Sequence, residues 1–284
     1  MTQTVLILGA TGRFGRNAAA AFARAGWQVR RFCRKTDQLA DAAAGADVIV
    51  NAWNPAYTDW KALVPKLHAD VQQVALRTGA TVIIPGNVYG FGPDTPAPWG
   101  AQSPLRARNP LGRIRIEMEE SYKRAGVRTI VLRAGDFIDT ERSGNWFDMV
   151  LIKSLAKGVM IYPGRADIPR AWAYLPDLAD AAVTLAEQRA TLADFVDIPY
   201  AGYTLTGTEL CAALAQAAGK KLRLKQMNWW PVTLALPFWP MGRCLSEMRY
   251  LWDTPHWLDD QRFQSMVPDA PRTPVVEALR RAIA

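Results

Sequence analysis

The sequence predicts an α/β protein, a doubly wound parallel sheet followed by a smaller C-terminal domain. Three observations carry this expectation. Short β-branched apolar runs alternate with amphipathic segments through the first half, a glycine-rich turn joins the first run to the first amphipathic segment, and the composition changes beyond Tyr200. With 284 residues, 50% hydrophobic and 21% charged, the chain can bury a core of that size.

Thr4–Leu8 reads as the first strand, and Arg13–Ala25, rich in Ala and Arg and followed by Gly26, as the first helix. Gln28–Phe32 and Asp47–Val50 are the next strands. Trp60–Thr78 repeats Leu63, Leu67, Val71 and Val74 at helical spacing and stops at Gly79. Thr81–Ile84 is the fourth strand and Arg128–Leu132 the fifth. The helix between them opens with Asn109 as N-cap and Pro110 in the first helical position, and ends near Ala125 before Gly126. Residues 86–109, with Pro93, Pro96, Pro98, Gly100 and Pro104, form a long ordered loop of the kind that serves function. Later come helices at Trp146–Lys157 and Pro176–Gln188, a strand at Phe195–Ile198, and a last helix with Thr273 as N-cap and Pro274 behind it. Residues 1–160, with 176–198 returning, are assigned to the sheet domain, and 161–175 with 199–284 to the smaller region.

The charge is uneven. Lys plus Arg is 34 against 26 for Asp plus Glu, a formal +8, and the first 35 residues carry Arg13, Arg16, Arg24, Arg30, Arg31, Arg34 and Lys35 with no carboxylate before Asp37. An anionic ligand is expected, but no nucleic-acid recognition motif accompanies the charge. Cys33, Cys211 and Cys244 are too scattered for a disulfide framework or a zinc site. His68 and His256 lack ligand spacing and read as surface or packing residues, so no metal is expected. No secretion signal precedes Val5, which suggests a cytoplasmic protein. The most apolar stretch, 229–240, is too short and too rich in proline to span a bilayer.

The strongest motif is Gly9-Ala10-Thr11-Gly12-Arg13-Phe14-Gly15, directly after a strand and opening a helix. Glycines at this spacing let the backbone approach a pyrophosphate, while the helix N-terminus offers N–H groups and the positive end of its dipole. This marks a dinucleotide site. At the end of the second strand, where an acidic residue would hold the 2'-hydroxyl of NAD, stand Arg34 and Lys35. They suit a 2'-phosphate, with Arg13 able to join them, so NADP is favoured and NAD is the alternative.

The turn, Asn87-Val88-Tyr89-Gly90, Leu132-Arg133-Ala134-Gly135 and Trp172-Ala173-Tyr174-Leu175-Pro176-Asp177-Leu178-Ala179 together resemble the extended short-chain dehydrogenase/reductase superfamily, most closely its NAD(P)-dependent epimerase/dehydratase branch. The resemblance implies a Rossmann domain, a C-terminal substrate domain, a small-molecule substrate and a homodimer. It extends the cofactor contacts to Asn51, Ala52, Pro85 and Arg115. It also implies a catalytic Ser/Thr, Tyr and Lys, and at those positions this chain has Pro85, Leu111 and Arg115.

Catalysis by the family's usual phenol is therefore excluded at Leu111. Tyr89, at the carboxyl edge of the sheet, is the substitute acid, Asn87 a carbonyl-polarising group and Arg115 a ribose contact and fixed charge; Tyr122 lies about three turns along the helix from Leu111. Arg106, Arg108 and Arg113 with Arg115 border the expected site, and Asp177 reads as a helix cap. Trp53, Asp136, Trp146, Trp229 and Trp230 are the candidate substrate residues, the last two in a tryptophan-rich lid. The functional expectation is an NADP-binding oxidoreductase acting on a small carbonyl, hydroxyl or nucleotide-linked substrate. The alternatives are a catalytically silent NADP-binding sensor or assembly protein and a nucleotide-sugar epimerase/dehydratase.

Overall fold

The structure, a computed structural model, describes residues 2–268, 270 and 272–284. In chain order the strands are β1 (Thr4–Leu8), β2 (Gln28–Arg31), β3 (Val48–Asn51), β4 (Thr81–Gly86), β5 (Thr129–Arg133), β6 (Asp136–Ile138), β7 (Val159–Tyr162), β8 (Arg170–Tyr174), β9 (Phe195–Pro199), β10 (Tyr203–Leu205) and β11 (Arg223–Gln226). The helices are α1 (Arg13–Arg24), α2 (Leu39–Ala43), α3 (Trp60–Thr78), α4 (Pro110–Ala125), α5 (Leu175–Glu187), α6 (Gly207–Ala218), α7 (Trp230–Ala235), α8 (Pro240–Glu247), α9 (Gln261–Met266) and α10 (Val275–Ala282).

Six strands form one parallel sheet in the order β2-β1-β3-β4-β5-β9. Every residue of β1, β3 and β5 is buried, which explains their unbroken apolar runs: helices cover both faces, so alternation has nothing to mark. Phe14, Phe22, Leu178 and Leu185 of α1 and α5 pack on one face, and Trp60, Val71, Met118 and Tyr122 of α3 and α4 on the other. The chain leaves β1 toward β2 on one side and returns to β3 on the other. Ligands of such sheets bind at this reversal, outside the carboxyl ends of the strands. The remaining strands make a three-stranded sheet, β10-β8-β6, and the pair β11-β7, so strands outside the central sheet begin at Asp136. Among the described residues no helix is long and apolar enough to cross a membrane.

Three local expectations are corrected. Trp146–Lys157 is not one helix but a wide turn at Phe147–Leu151 and a tight one at Leu155–Lys157. The Asp148 carboxylate accepts the N–H groups of Ser143 and Gly144, and the wide turn keeps both Phe147 and Leu151 buried. Asn109 makes no capping bond to α4. Glu247 of α8 does so from 136 residues away, accepting the Leu111 N–H at 2.6 Å and the Asn109 amide at 2.9 Å. A carboxylate there also meets the positive end of the helix dipole. Thr273 likewise caps nothing: α10 starts at Val275, and the Thr273 N–H and hydroxyl donate to Asp177. Asp177, read as a cap of its own helix, is thus a long-range tether.

Both histidines are buried. His68 Nδ1 faces the Asn51 amide and the Tyr122 hydroxyl, and the His256 ring stacks on Trp99 at 4.5 Å. Burial, with Arg115 near His68 and Arg170 near His256, pushes each pKa down to about 3 from an ordinary 6.5. The unfolded chain therefore binds more protons between those limits, and folding stability falls as pH drops from 6.5 toward 3. Urea unfolding from pH 7 to pH 4 is expected to show this decline and a shallower one in His68→Gln; an identical slope in the variant would remove His68 as a cause.

Candidate functional site

The glycine turn has a packing requirement visible atom by atom. Gly9 has φ +75°, and a Cβ there would meet the Ala52 carbonyl oxygen at 2.8 Å. A Cβ on Gly15 would sit on the Gly9 carbonyl, 2.8 Å from its carbon. The turn closes through the Gly12 N–H to Gly9 O bond at 2.9 Å, and α1 begins with no acidic residue in its first turn. Helix geometry leaves its first N–H groups without intrahelical acceptors, open to an anion. Thr11 and Gly12 are exposed at this edge, whereas the Phe14 side chain is buried in the core, so only its backbone belongs to the turn.

The strand ends arrange the charged candidates differently. The Arg34 guanidinium lies 5.8 Å from the Trp53 ring centroid, and Trp53 meets Phe32 edge-on at 5.5 Å. Trp53 thus stands beside the end of β2. Lys35 is exposed, and the nearest acid, Asp37, is occupied by the Cys33 N–H and the Thr36 hydroxyl. Arg13 does not join Arg34 and Lys35: it holds the carbonyls of Ser143 and Gly144 at 2.8 and 2.5 Å. The Asn51 side chain is likewise committed, donating to Tyr122 at 3.1 Å within the buried group that includes His68. Tyr122 is fully buried in that group.

At the positions of the substituted triad, Pro85 and Arg115 do meet. The Arg115 guanidinium donates to the Pro85 carbonyl at 3.0 Å, lies 3.7 Å from Glu119 and covers Trp60 at 5.9 Å. Its Nε is buried with no partner among the described residues. Burial draws the Arg115 pKa down, with Glu119 opposing. Leu111 is packed into the core one helical turn before it.

Beside this contact is a pair of phenols that sequence reasoning only half anticipated. The hydroxyls of Tyr89 and Tyr57 are 2.6 Å apart, and both rings pack against Trp60. Tyr57 follows β3 at the same sheet edge, and a search for phenols behind each strand would have found it. Burial raises both pKa values above 10, and Asp136 adds to the rise in each; Arg115 opposes it at Tyr57 and Arg170 at Tyr89. Both phenols are therefore protonated at neutral pH. One donates to the other, which leaves one O–H free for a ligand oxygen. Asn87 forms a turn, its side-chain oxygen accepting the Tyr89 N–H at 3.1 Å.

Asp136 is paired with Arg170, whose guanidinium also binds the Leu251 carbonyl and stacks 3.7 Å from the Trp252 ring centroid. Trp252 continues to Trp146 at 5.3 Å and Trp146 to Trp229 at 6.2 Å, an aromatic wall leading away from the phenols. Trp229 is buried with its N–H on the Pro163 carbonyl, while Trp230 is 68% exposed. The two border a cavity of about 370 Å³ with Asn228 and Arg249. The expected arginine cluster does not converge: Arg106 and Arg108 reach Asp94 on the loop, Arg113 is exposed, and only Arg115 is buried.

Arg133 supports the whole arrangement. It bonds Asp197 and Glu119 at 2.7 and 2.6 Å and donates to the Asn87 carbonyl at 2.6 Å. Burial opposes its charge, but Asp197 and Glu119 outweigh that and hold its pKa above the ordinary value. Arg133→Ala leaves Asp197 without its partner and Glu119 with only the longer contact to Arg115, and is expected to cost about 3–5 kcal/mol in urea unfolding. A loss below 1 kcal/mol would show that the network is dispensable.

No protein-family model matches the chain, and no curated protein sequence matches it. Solved structures do. A GalE-like L-threonine dehydrogenase from Cupriavidus necator has 16% identity and a TM-score of 0.76, covering 100% of this chain and 99% of its own. A UDP-N-acetylglucosamine 4-epimerase from Bacillus cereus has 12% identity and a TM-score of 0.75, over 99% and 98%. The protein RMD from Pseudomonas aeruginosa, solved in complex with NADPH, has 16% identity and a TM-score of 0.73, over 100% and 97%. The chain has the Rossmann-type fold of these epimerase and dehydrogenase structures along its full length.

Proposed function

We propose that this chain belongs to the NAD(P)-dependent epimerase/dehydratase branch of the extended short-chain dehydrogenases/reductases and acts as an NADP-dependent oxidoreductase on a small carbonyl or hydroxyl compound, free or nucleotide-linked. The observation that carries the reading is the tightly closed glycine turn between β1 and α1, where a Cβ on Gly9 or Gly15 would strike the backbone of Ala52 or of Gly9 itself, and where the exposed Thr11 and Gly12 lead into a helix N-terminus with free N–H groups. The α1 N-terminus would hold the diphosphate. Arg34 and Lys35, with Asp37 turned into its own loop, would hold the 2'-phosphate, and Trp53 would lie beside the adenosine. Ala52, the backbone of Asn51, and Pro85 with Arg115 would line the path toward the ribose and nicotinamide. When bound, NADP(H) supplies the hydride chemistry. The chain's own part is the phenol pair: the free O–H of Tyr89 or Tyr57 polarises the substrate oxygen and delivers its proton, while the partner hydroxyl stabilises the phenolate left behind.

The closed Pro85–Arg115 contact favours a second reading, binding of NADP without turnover, because the family's proton-transfer groups are missing from that place. One experiment tests the cofactor assignment common to both readings, and a second separates them. NADPH is expected to bind at least tenfold more tightly than NADH, with the difference lost in Arg34→Ala; equal affinities in the parent protein would defeat the NADP assignment. Against a panel of carbonyl and alcohol substrates, Tyr89→Phe and Tyr57→Phe are each expected to lower kcat by about 10²–10⁴ with little change in NADPH affinity. Unchanged turnover would remove the phenols from the mechanism, and cofactor binding with no turnover across the panel would support the silent reading.

A further inference from the structure

The α7–α8 hairpin has two unlike sides. Its inner side belongs to the site: α8 packs on the Tyr57–Asp59 turn, and Glu247 caps α4. Its outer side buries nothing. Phe238 is 91% exposed, Trp230 68% and Leu234 65%, with Trp239 partly exposed beside them. Large apolar side chains gathered at one hairpin tip mark an interaction surface.

The backbone of this tip is closed on itself. Pro231, Pro237 and Pro240 carry no N–H, the Phe238 N–H donates to Ala235 O at 3.0 Å, and the Arg243 guanidinium holds the carbonyls of Leu236 and Pro237 at 2.9 Å each. A loop entering an apolar phase must satisfy its polar backbone internally, and this one largely does. The charge in this stretch of the chain is almost all of one sign. Between residues 220 and 249 stand Lys220, Lys221, Arg223, Lys225, Arg243 and Arg249, against a single acid. That acid, Glu247, faces inward on the α4 N-terminus. Arg223 and Lys225 are exposed on β11, which leads into α7, and Arg249 lies over Trp229 at 5.0 Å.

We infer that the α7–α8 hairpin docks this protein onto an anionic lipid surface, with Phe238, Leu234 and Trp230 entering the interface and the surrounding Lys and Arg side chains meeting the headgroups. Apolar anchors flanked in the chain by exposed Arg223, Lys225, Arg243 and Arg249, with Asp59 under α8 as the neighbouring carboxylate, suit an anionic surface better than a protein face, which would offer mixed charges. The inference does not depend on the proposed chemistry, and its test uses no turnover.

The full-length protein is mixed with phosphatidylcholine vesicles, with and without 30% phosphatidylglycerol, in about 0.1 M salt and sedimented. Binding is expected on the anionic vesicles, at least tenfold weaker on the neutral ones and weaker again at about 0.5 M salt. Phe238→Ser with Leu234→Ser is expected to reduce binding at least tenfold. Because both side chains are exposed, the urea midpoint of the double variant should match the parent, so a loss of binding cannot come from misfolding. Equal binding to neutral vesicles, full binding by the double variant, or no vesicle binding at all overturns the inference. Concentration-dependent dimerisation in sedimentation velocity, abolished by the same substitutions and without vesicle binding, would assign the surface to a second copy of the chain.

Discussion

One buried guanidinium joins the sheet to the site. Arg133 ends β5, and its bonds run sideways to Asp197 on β9, outward to Glu119 on α4 and forward to the carbonyl of Asn87 behind β4. An ion of this kind tolerates burial only when its donors are met, and here two carboxylates and a carbonyl meet them. The consequence is positional. With the Asn87 carbonyl held from below and its side-chain oxygen capping the Tyr89 N–H, the Tyr89 ring is directed at Trp60 and its hydroxyl at Tyr57. Glu119 also lies 3.7 Å from Arg115, so the carboxylate that steadies the structural arginine biases the one at the site.

The basic first 35 residues sort into structural and available charge. Arg16 pairs with Asp139 and Glu141, Arg24 with Asp180, Arg30 with the carbonyls of Ala42 and Ala44, and Arg13 with those of Ser143 and Gly144. Those four serve the fold. Arg31, Arg34 and Lys35 have no ion pair among the described residues, and they cluster at the end of β2, one loop from the phosphate turn. A net charge of +8 thus says less than the location of the few cations left over.

What was legible in the sequence is what is local. Strands β1, β3 and β5 were visible because both their faces are buried, and helix stops at Gly79 and Gly126 because a left-handed C-cap is a property of one residue. The glycine turn was visible because its three glycines and the strand and helix they join lie next to one another in the sequence, although part of the demand at Gly9 comes from Ala52 on the neighbouring strand end. Pro85 and Arg115, singled out through the resemblance, are in contact in the structure. What failed or was missed depends on residues distant in sequence: Glu247 displaced Asn109 as the cap of α4, Asp177 drew Thr273 from α10, and Arg170 found Asp136. The tryptophan-rich segment failed for another reason. Apolar composition does not state which way a short helix faces, and Trp229 and Trp230, adjacent in sequence, point to the core and to solvent.

On the proposed reading, an arginine at 115 and a leucine at 111 in place of a lysine and a tyrosine would change the physics of proton transfer as well as its address. A lysine beside a phenol lowers the phenol's pKa with a compact charge that needs no planar partner. Arg115 is bonded to Pro85 and placed over Trp60, and its charge does not offset the burial of Tyr57. A phenol kept above 10 is a weak acid toward a ketone but a matched one toward an alkoxide, whose proton affinity is higher still. Such a pair would act late, after negative charge has formed on the substrate oxygen, and the 2.6 Å contact to the second hydroxyl is where the resulting phenolate would be stabilised. On the proposed oxidoreductase reading, such a pair would favour reactions in which hydride arrival leads and the proton follows, over those that require a base to remove a proton first.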